Sequence, residues 1–172
     1  GNRHSEPLRK STQNCAKAGK MRKPKPAVST VYLDANAFIY LIDGDPAASG
    51  AVQPLFEALR ARPGVGVTSE ISLAEVLAGR DARTRRLYLD LMVFGQFLVL
   101  VPVSRDVLYE TVDLRKVAKM KLIDAIHLAT AIGSRCRHFV TRDGDFRRMP
   151  RGMTKVVPDA AAISDLVAKI PL

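Results

Sequence analysis

Short β-rich apolar runs alternate along this chain with longer stretches whose apolar residues recur at helical spacing, and Pro, Gly, Asn, Asp or Ser punctuates the joins. The run from Val28 to Leu33, carrying Val31, Tyr32 and Leu33, predicts a buried first strand that ends in Asp34. Asn36 can cap a helix through Tyr40 to Ile42, and Asp43-Gly44-Asp45-Pro46 breaks it. A second helix is expected from Pro54 to Arg60, with Leu55, Phe56 and Leu59 on one face and Pro63-Gly64 as its stop. The strand Val65 to Val67 then leads to Thr68 and Ser69, which can cap a helix that carries Glu75 and stops near Gly79.

From Ala82 to about Gln96 an Arg-rich pattern sets Leu87, Leu91 and Phe94 on one side of an amphipathic helix. Leu98 to Val103 reads as a strand, Ser104 as the cap of a helix reaching about Met120, and Leu122 to Gly133 as another helix. His138 to Thr141 is a strand that delivers Asp143, and a strand at Lys155 to Val157 and a helix from Asp159 to Ile170 complete the pattern. No internal repeat is present. Strands alternating with helices predict an α/β fold with a mainly parallel sheet covered on both faces, whose sites form at the carboxyl ends of the strands.

A chain of 172 residues is long enough for one well-buried core and short for two. Its 47% apolar and 26% charged residues are ordinary for a globular protein. The longest apolar run, Phe97 to Val103, contains Pro102 and is too short to cross a bilayer, so no membrane span is expected. Near the N-terminus there is no apolar core of a secretory signal. Cys15 and Cys136 lack metal-ligand spacing and read as free thiols, which favours a cytoplasmic location.

Charge changes this picture because it is unevenly spread. Residues 1–26 hold 8 Lys and Arg against Glu6 alone, whereas the other 146 residues hold 19 basic and 16 acidic side chains. The sequence therefore divides into a basic arm over 1–27, with little to bury and expected to be disordered, and a nearly balanced domain over 28–172. The arm has three readings: a phosphate-binding tail, a solubilising tail, or a leader ahead of a start at Met21.

Four acids, Asp34, Glu75, Asp124 and Asp143, each follow a hydrophobic stretch where the chain leaves a strand or opens a helix, in the contexts YLDAN, SLAEVLAG, KLIDAIHLATA and FVTRDGDF. Carboxylates on such equivalent positions can converge at one edge of a parallel sheet, where a divalent cation makes their repulsion tolerable. These segments, in this order and spacing, resemble the PIN-domain family of metal-dependent nucleases, and within it the VapC-like toxin ribonucleases. DAIHLATA followed by a strand and TRDGDF is the most specific part. The resemblance implies a three-layer α/β/α PIN-like fold, Asp34, Glu75, Asp124 and Asp143 as catalytic acids, and the same four with Asp145 as ligands of Mg²⁺ or Mn²⁺. It also implies endonucleolytic cleavage of RNA, a cognate antitoxin and a homodimer, for which the helices Pro54 to Arg60 and Ala82 to Gln96 offer apolar faces.

Each residue has a plainer reading. Asp34 suits a turn or cap, and Asn36 a helix cap with support of the acids as a second duty. Ser72-Leu73-Ala74-Glu75 matches a capping box, although a helix opening at Thr68 or Ser69 places Glu75 inside it. Asp124 in a first turn is favoured by the backbone dipole alone. Asp143-Gly144-Asp145 is an ordinary turn sequence, in which Asp143 ranks above Asp145. His127, in an apolar helix, reads as a hydrogen-bonded structural residue outside the chemistry. Thr141 can orient the acids through its hydroxyl, Phe146 anchors the core, and Arg142, Arg147 and Arg148 suit phosphate contacts.

The rival functions are a non-catalytic PIN-like module that binds RNA or protein, a DNA-directed PIN nuclease, and a phosphatase of the haloacid dehalogenase type. The last would want an Asp where this chain has Asn36. If the arm binds RNA phosphates, deleting residues 1–26 should weaken binding and flatten its salt dependence by roughly 0.7 in log–log slope per lost contact, leaving the rate of cleavage at saturating RNA unchanged. Binding isotherms over a salt series check this, and identical slopes for both proteins would show a passive tail.

Overall fold

A computed structural model describes residues 30–170, so the basic arm expected over 1–27 lies outside the described residues. Among the described residues the alternating pattern resolves into five strands, β1 (Val31–Leu33), β2 (Gly66–Ser69), β3 (Leu98–Val101), β4 (His138–Val140) and β5 (Thr154–Val156). Seven described α-helices connect and flank them: α1 (Ala35–Ile42), α2 (Pro46–Ala61), α3 (Ile71–Leu77), α4 (Ala82–Leu89), α5 (Arg105–Ala118), α6 (Leu122–Gly133) and α7 (Ala160–Val167). All strand pairs are parallel, in the order β3-β2-β1-β4-β5. The chain first moves outward from β1 to β2 and β3, then returns to the other side of β1 as β4. Between β1 and β4, paired from Val31↔His138 to Leu33↔Val140, the order reverses, and that reversal opens a crevice beyond the carboxyl ends of the two strands.

The sheet's two faces are sorted by the period-2 alternation of its strands. Val31, Leu33 and Val140 join a core with Phe38 of α1, Val52, Leu55, Phe56 and Leu59 of α2, and Ile163 and Leu166 of α7. Tyr32, Val67 and Phe139 point the other way, onto Leu128 and Ala131 of α6 and onto Phe146. The result is the expected three-layer α/β/α arrangement.

Three local outcomes differ from the sequence reading. Helix α2 starts at Pro46, not Pro54: Asp45 accepts a hydrogen bond from the Ala48 backbone amide at 2.8 Å, and Pro46 occupies the position where a missing N–H costs nothing. Pro54 is carried inside the helix and forgoes one backbone bond. Helix α1 is capped by Asp34, which accepts from the Ala37 amide at 3.3 Å, and Asn36 lies within the helix. The strand β2 runs through Thr68 and Ser69, so α3 opens after them, and Ser72 is buried against Thr68 at 2.9 Å instead of capping.

The amphipathic segment after Ala82 is also phased differently. Helix α4 passes at Asp90–Phe94 into a π-helical turn, and the stripe that meets the core lies to one side of the expected one. Tyr88, Leu91 and Met92 become buried, while Leu87 is 49% and Phe94 57% exposed. Tyr88 is held by a 2.6 Å hydrogen bond to Asp43, which also pairs with Arg80 at 2.7 Å and so ties the end of α1 to the start of this segment. Leu91→Ala should therefore lower unfolding stability by about 2–5 kcal/mol and Leu87→Ala by no more than about 0.5 kcal/mol, measured by urea titration. Equal losses would mean that Leu87 shares the core with Leu91.

Candidate metal centre at the carboxyl edge of the sheet

Asp34 leaves β1 at the order reversal, and its backbone amide continues the ladder by donating to the Val140 carbonyl at 3.3 Å. The side chain is almost fully buried. It accepts hydrogen bonds from Ala37 N and from Asn36 Nδ2, both at 3.3 Å. Burial raises its carboxyl above the ordinary Asp value, and a hydrogen bond from the Thr141 hydroxyl offsets part of that. Asp34 thus both caps α1 and faces the crevice.

Across the crevice, β4 ends at Val140 and the chain turns through Thr141, Asp143 and Asp145. Thr141 Oγ1 accepts from the Asp143 amide at 3.0 Å, and Asp143 Oδ1 accepts from the Asp145 amide at 2.7 Å, an Asx turn. The Lys155 ammonium donates to the Asp143 carbonyl from the neighbouring strand. Phe146 seals the turn against the sheet: its ring lies 4.7 Å from that of Phe139, which stacks on Tyr32 at 4.8 Å. Thr141 touches both Asp143 and Asp34, so one buried hydroxyl spans the crevice.

Asp124 comes from the first turn of α6, beside this turn. Its carboxyl is raised, first by burial and then by the charge of Asp143. Its Oδ2 is buried without any hydrogen-bond partner. Asp145 is shifted the opposite way by Lys121, whose ammonium sits 2.8 Å from Asp145 Oδ2 and is itself raised by that contact. Among the described residues, carboxylate oxygens of Asp124, Asp143 and Asp145 all lie within 4.8 Å of one another.

The five sequence candidates are therefore divided. Asp124, Asp143 and Asp145 converge, Asp34 is joined to Asp143 only through the Thr141 hydroxyl, and Glu75, outside that cluster in the middle of α3, has its Oε2 held 2.7 Å from His127 Nε2. His127, assigned above to structure alone, is hydrogen-bonded as expected, but to Glu75 on one nitrogen and to the Tyr32 hydroxyl at 2.7 Å on the other. Lys121 and Lys155 were not singled out. Lys121, directly before α6, carried a legible signal in its place beside KLIDAIHL, whereas Lys155 meets Asp143 only through strand pairing.

Three hard oxygen donors, one with an orphaned buried oxygen, fit a small divalent cation better than they fit the bare protein. In EDTA, Asp124→Asn should melt at a higher temperature than the parent at pH 7. A carboxyl whose folded pKa is raised resists ionisation in the fold, so its cost is present above that pKa and disappears as pH falls toward the ordinary Asp value of 3.8. Thermal melts over a pH series should show the advantage shrink on acidification. A destabilised variant at pH 7 would refute the strain.

The sequence model of the PIN domain family matches residues 31–152. No match is found among curated protein sequences. Among solved structures, the chain is 30% identical to a chain of a toxin-antitoxin complex from Klebsiella pneumoniae, covering 75% of this chain and 98% of that one at a TM-score of 0.56. It is similar in fold to a chain of VapBC2 from Rickettsia felis bound to a promoter DNA fragment, at 21% identity, 73% and 96% coverage and a TM-score of 0.58. The VapC20 toxin of Mycobacterium tuberculosis, which cleaves the sarcin-ricin loop, shares the fold at 18% identity, 68% and 92% coverage and a TM-score of 0.55. Among the described residues no helix is long and apolar enough to cross a membrane. With the matched region, residues 31–152, spanning most of the chain, the protein belongs to the PIN-domain family of nucleases.

Proposed function

We propose that this chain is a metal-dependent endoribonuclease acting as the toxin of a toxin-antitoxin pair. The observation that carries the reading is the convergence of Asp124, Asp143 and Asp145 around an unpartnered buried oxygen, at the order reversal of a PIN-domain sheet. Asp124, Asp143 and Asp145 would hold Mg²⁺ or Mn²⁺, with Asp34 and Glu75 completing the acidic edge. The bound ion supplies positive charge to the phosphate oxygens and acidifies water. Asp34, braced by Thr141, Asn36 and Ala37, fixes the floor of the crevice, and Glu75 contributes its Oε1 because Oε2 is committed to His127. The Arg142 guanidinium packs over the Tyr40 ring at 5.7 Å beside the acids; together with Arg147 and Arg148 it suits the phosphates of a bound strand.

The preference for RNA rests on the resemblance to VapC-like ribonucleases. An antitoxin partner rests on the 30% identical chain, which comes from a toxin-antitoxin complex. A homodimer is supported by the family likeness and by the exposed Leu87 and Phe94 of the segment beginning at Ala82.

Cleavage of a structured RNA should be abolished by EDTA and restored by Mg²⁺ or Mn²⁺, with matched DNA left intact. Asp34→Asn and Asp124→Asn should each slow it on the order of 100-fold or more, as when a charge-stabilising group leaves a reacting site, while the far-UV spectrum stays native. EDTA-resistant cleavage, or full activity in either variant, would sink the assignment. Preferential cutting of DNA would redirect the substrate only.

A further inference from the structure

His127 is nearly fully buried on α6, yet neither of its ring nitrogens is spent on its own helix. Nε2 lies 2.7 Å from Glu75 Oε2 on α3, and Nδ1 lies 2.7 Å from the Tyr32 hydroxyl on β1. We propose that His127 is a positioning residue, in which the chain Tyr32–His127–Glu75 fixes the Glu75 carboxylate so that Oε1 alone is offered to the acidic edge. The inference rests on the nuclease reading above.

With the imidazole neutral, one arrangement of protons satisfies the whole chain, and a protonated imidazole, donating from both nitrogens, keeps the same contacts. An ionised carboxylate can only accept, so the hydrogen of a neutral imidazole sits on Nε2, and Nδ1 must accept from Tyr32. The Tyr32 hydroxyl has a hydrogen to give, 2.7 Å from Nδ1. The tyrosine is itself fully buried: its ring stacks on Phe139 at 4.8 Å with an 18° interplanar angle and meets His127 edge-on at 5.9 Å. Rigidity therefore passes from the central strand, through an imidazole, to a carboxylate.

Glu75 needs such support. It sits on a seven-residue helix with no side-chain cap bond, its side chain is about one-third exposed, and its terminal torsions are otherwise free. A histidine required only for core packing would be served by any nearby carbonyl. Here both nitrogens run in series to an acid that the motif order places in the site, which is how outer groups orient ligating carboxylates.

The test uses the full chain and Mn²⁺ alone, titrated by calorimetry, alongside cleavage measured as a function of Mn²⁺. Tyr32→Phe and His127→Leu should weaken Mn²⁺ binding about 10-fold or more, whereas His127→Gln, which keeps an N–H donor for Glu75, should recover most of the affinity. Parental Mn²⁺ affinity and cleavage in folded Tyr32→Phe and His127→Leu, even with lowered melting temperatures, would overturn the inference and leave the histidine as core. Should His127→Leu fail to fold, Tyr32→Phe decides by the same two outcomes. A parent that binds no Mn²⁺, or an Asp124→Asn variant that cleaves normally, overturns the nuclease reading and this inference with it.

Discussion

Carboxylates gathered within a few ångströms repel one another, and the arrangement of this protein follows from holding them together anyway. Asp124, Asp143 and Asp145 come from two separate segments, yet their oxygens lie within 4.8 Å. The strand order supplies the location. Because the chain reverses between β1 and β4, the connections leaving those strands diverge to opposite sides and leave open space above the sheet edge.

Position alone does not make the cluster tolerable. Each acid has a different local compensation, and the differences sort their character. Asp34 is buried and is satisfied by two amide donors and a hydroxyl. Asp145 is exposed and neutralised by Lys121. Asp143 spends one oxygen on an Asx turn. Asp124 alone keeps a buried oxygen with no partner, and burial together with Asp143 raises its carboxyl. Unequal environments for chemically identical groups allow one cluster to combine firm anchors with an oxygen in want of a cation. The aromatic series Tyr32, Phe139 and Phe146 serves the same end from below, since it pins the turn holding Asp143 and Asp145 to the strand that precedes Asp34.

The sheet and the helix α6 were legible because their signals are local: β-rich apolar runs for the strands, and a mostly apolar stretch between Lys121 and Gly133 for the helix. The ends of β2 and the start of α2 were not. Thr68 and Ser69 are good caps in isolation, but pairing with Leu100 and Val101 keeps them extended. Pro54 looks like a helix start until Asp45 and Pro46 are seen to provide a better one eight residues earlier. Asn36 and Asp34 both have capping chemistry, and the strand's exit makes Asp34 the residue whose extended backbone can do it. The phase of the segment after Ala82 was hidden for another reason: Leu87, Leu91 and Phe94 and the buried Tyr88, Leu91 and Met92 both fit helical spacing, so the pattern alone does not choose the stripe that meets the core. The acids themselves were readable by motif, but their division was not. That Glu75 is coupled to His127 depends on contact across 52 positions of sequence.

These features suggest why the site is built from both rigid and unsatisfied parts. A metal-free cluster that were fully neutralised by lysines and amides would hold a cation weakly, because binding would have to break those contacts first. A cluster with no compensation would push the turn of Asp143 away from α6. Here Thr141, Phe146 and the Tyr32–His127 pair fix the geometry through groups that carry no net charge when the imidazole is neutral, so they stabilise the arrangement without competing for the cation's role. Lys121 is the exception, and it acts on Asp145, the most exposed of the three acids, where solvent screens the interaction. The strain left on Asp124 is thereby available to ligand binding: whatever neutralises it favours the folded state, and folding and cation binding become linked through one carboxylate.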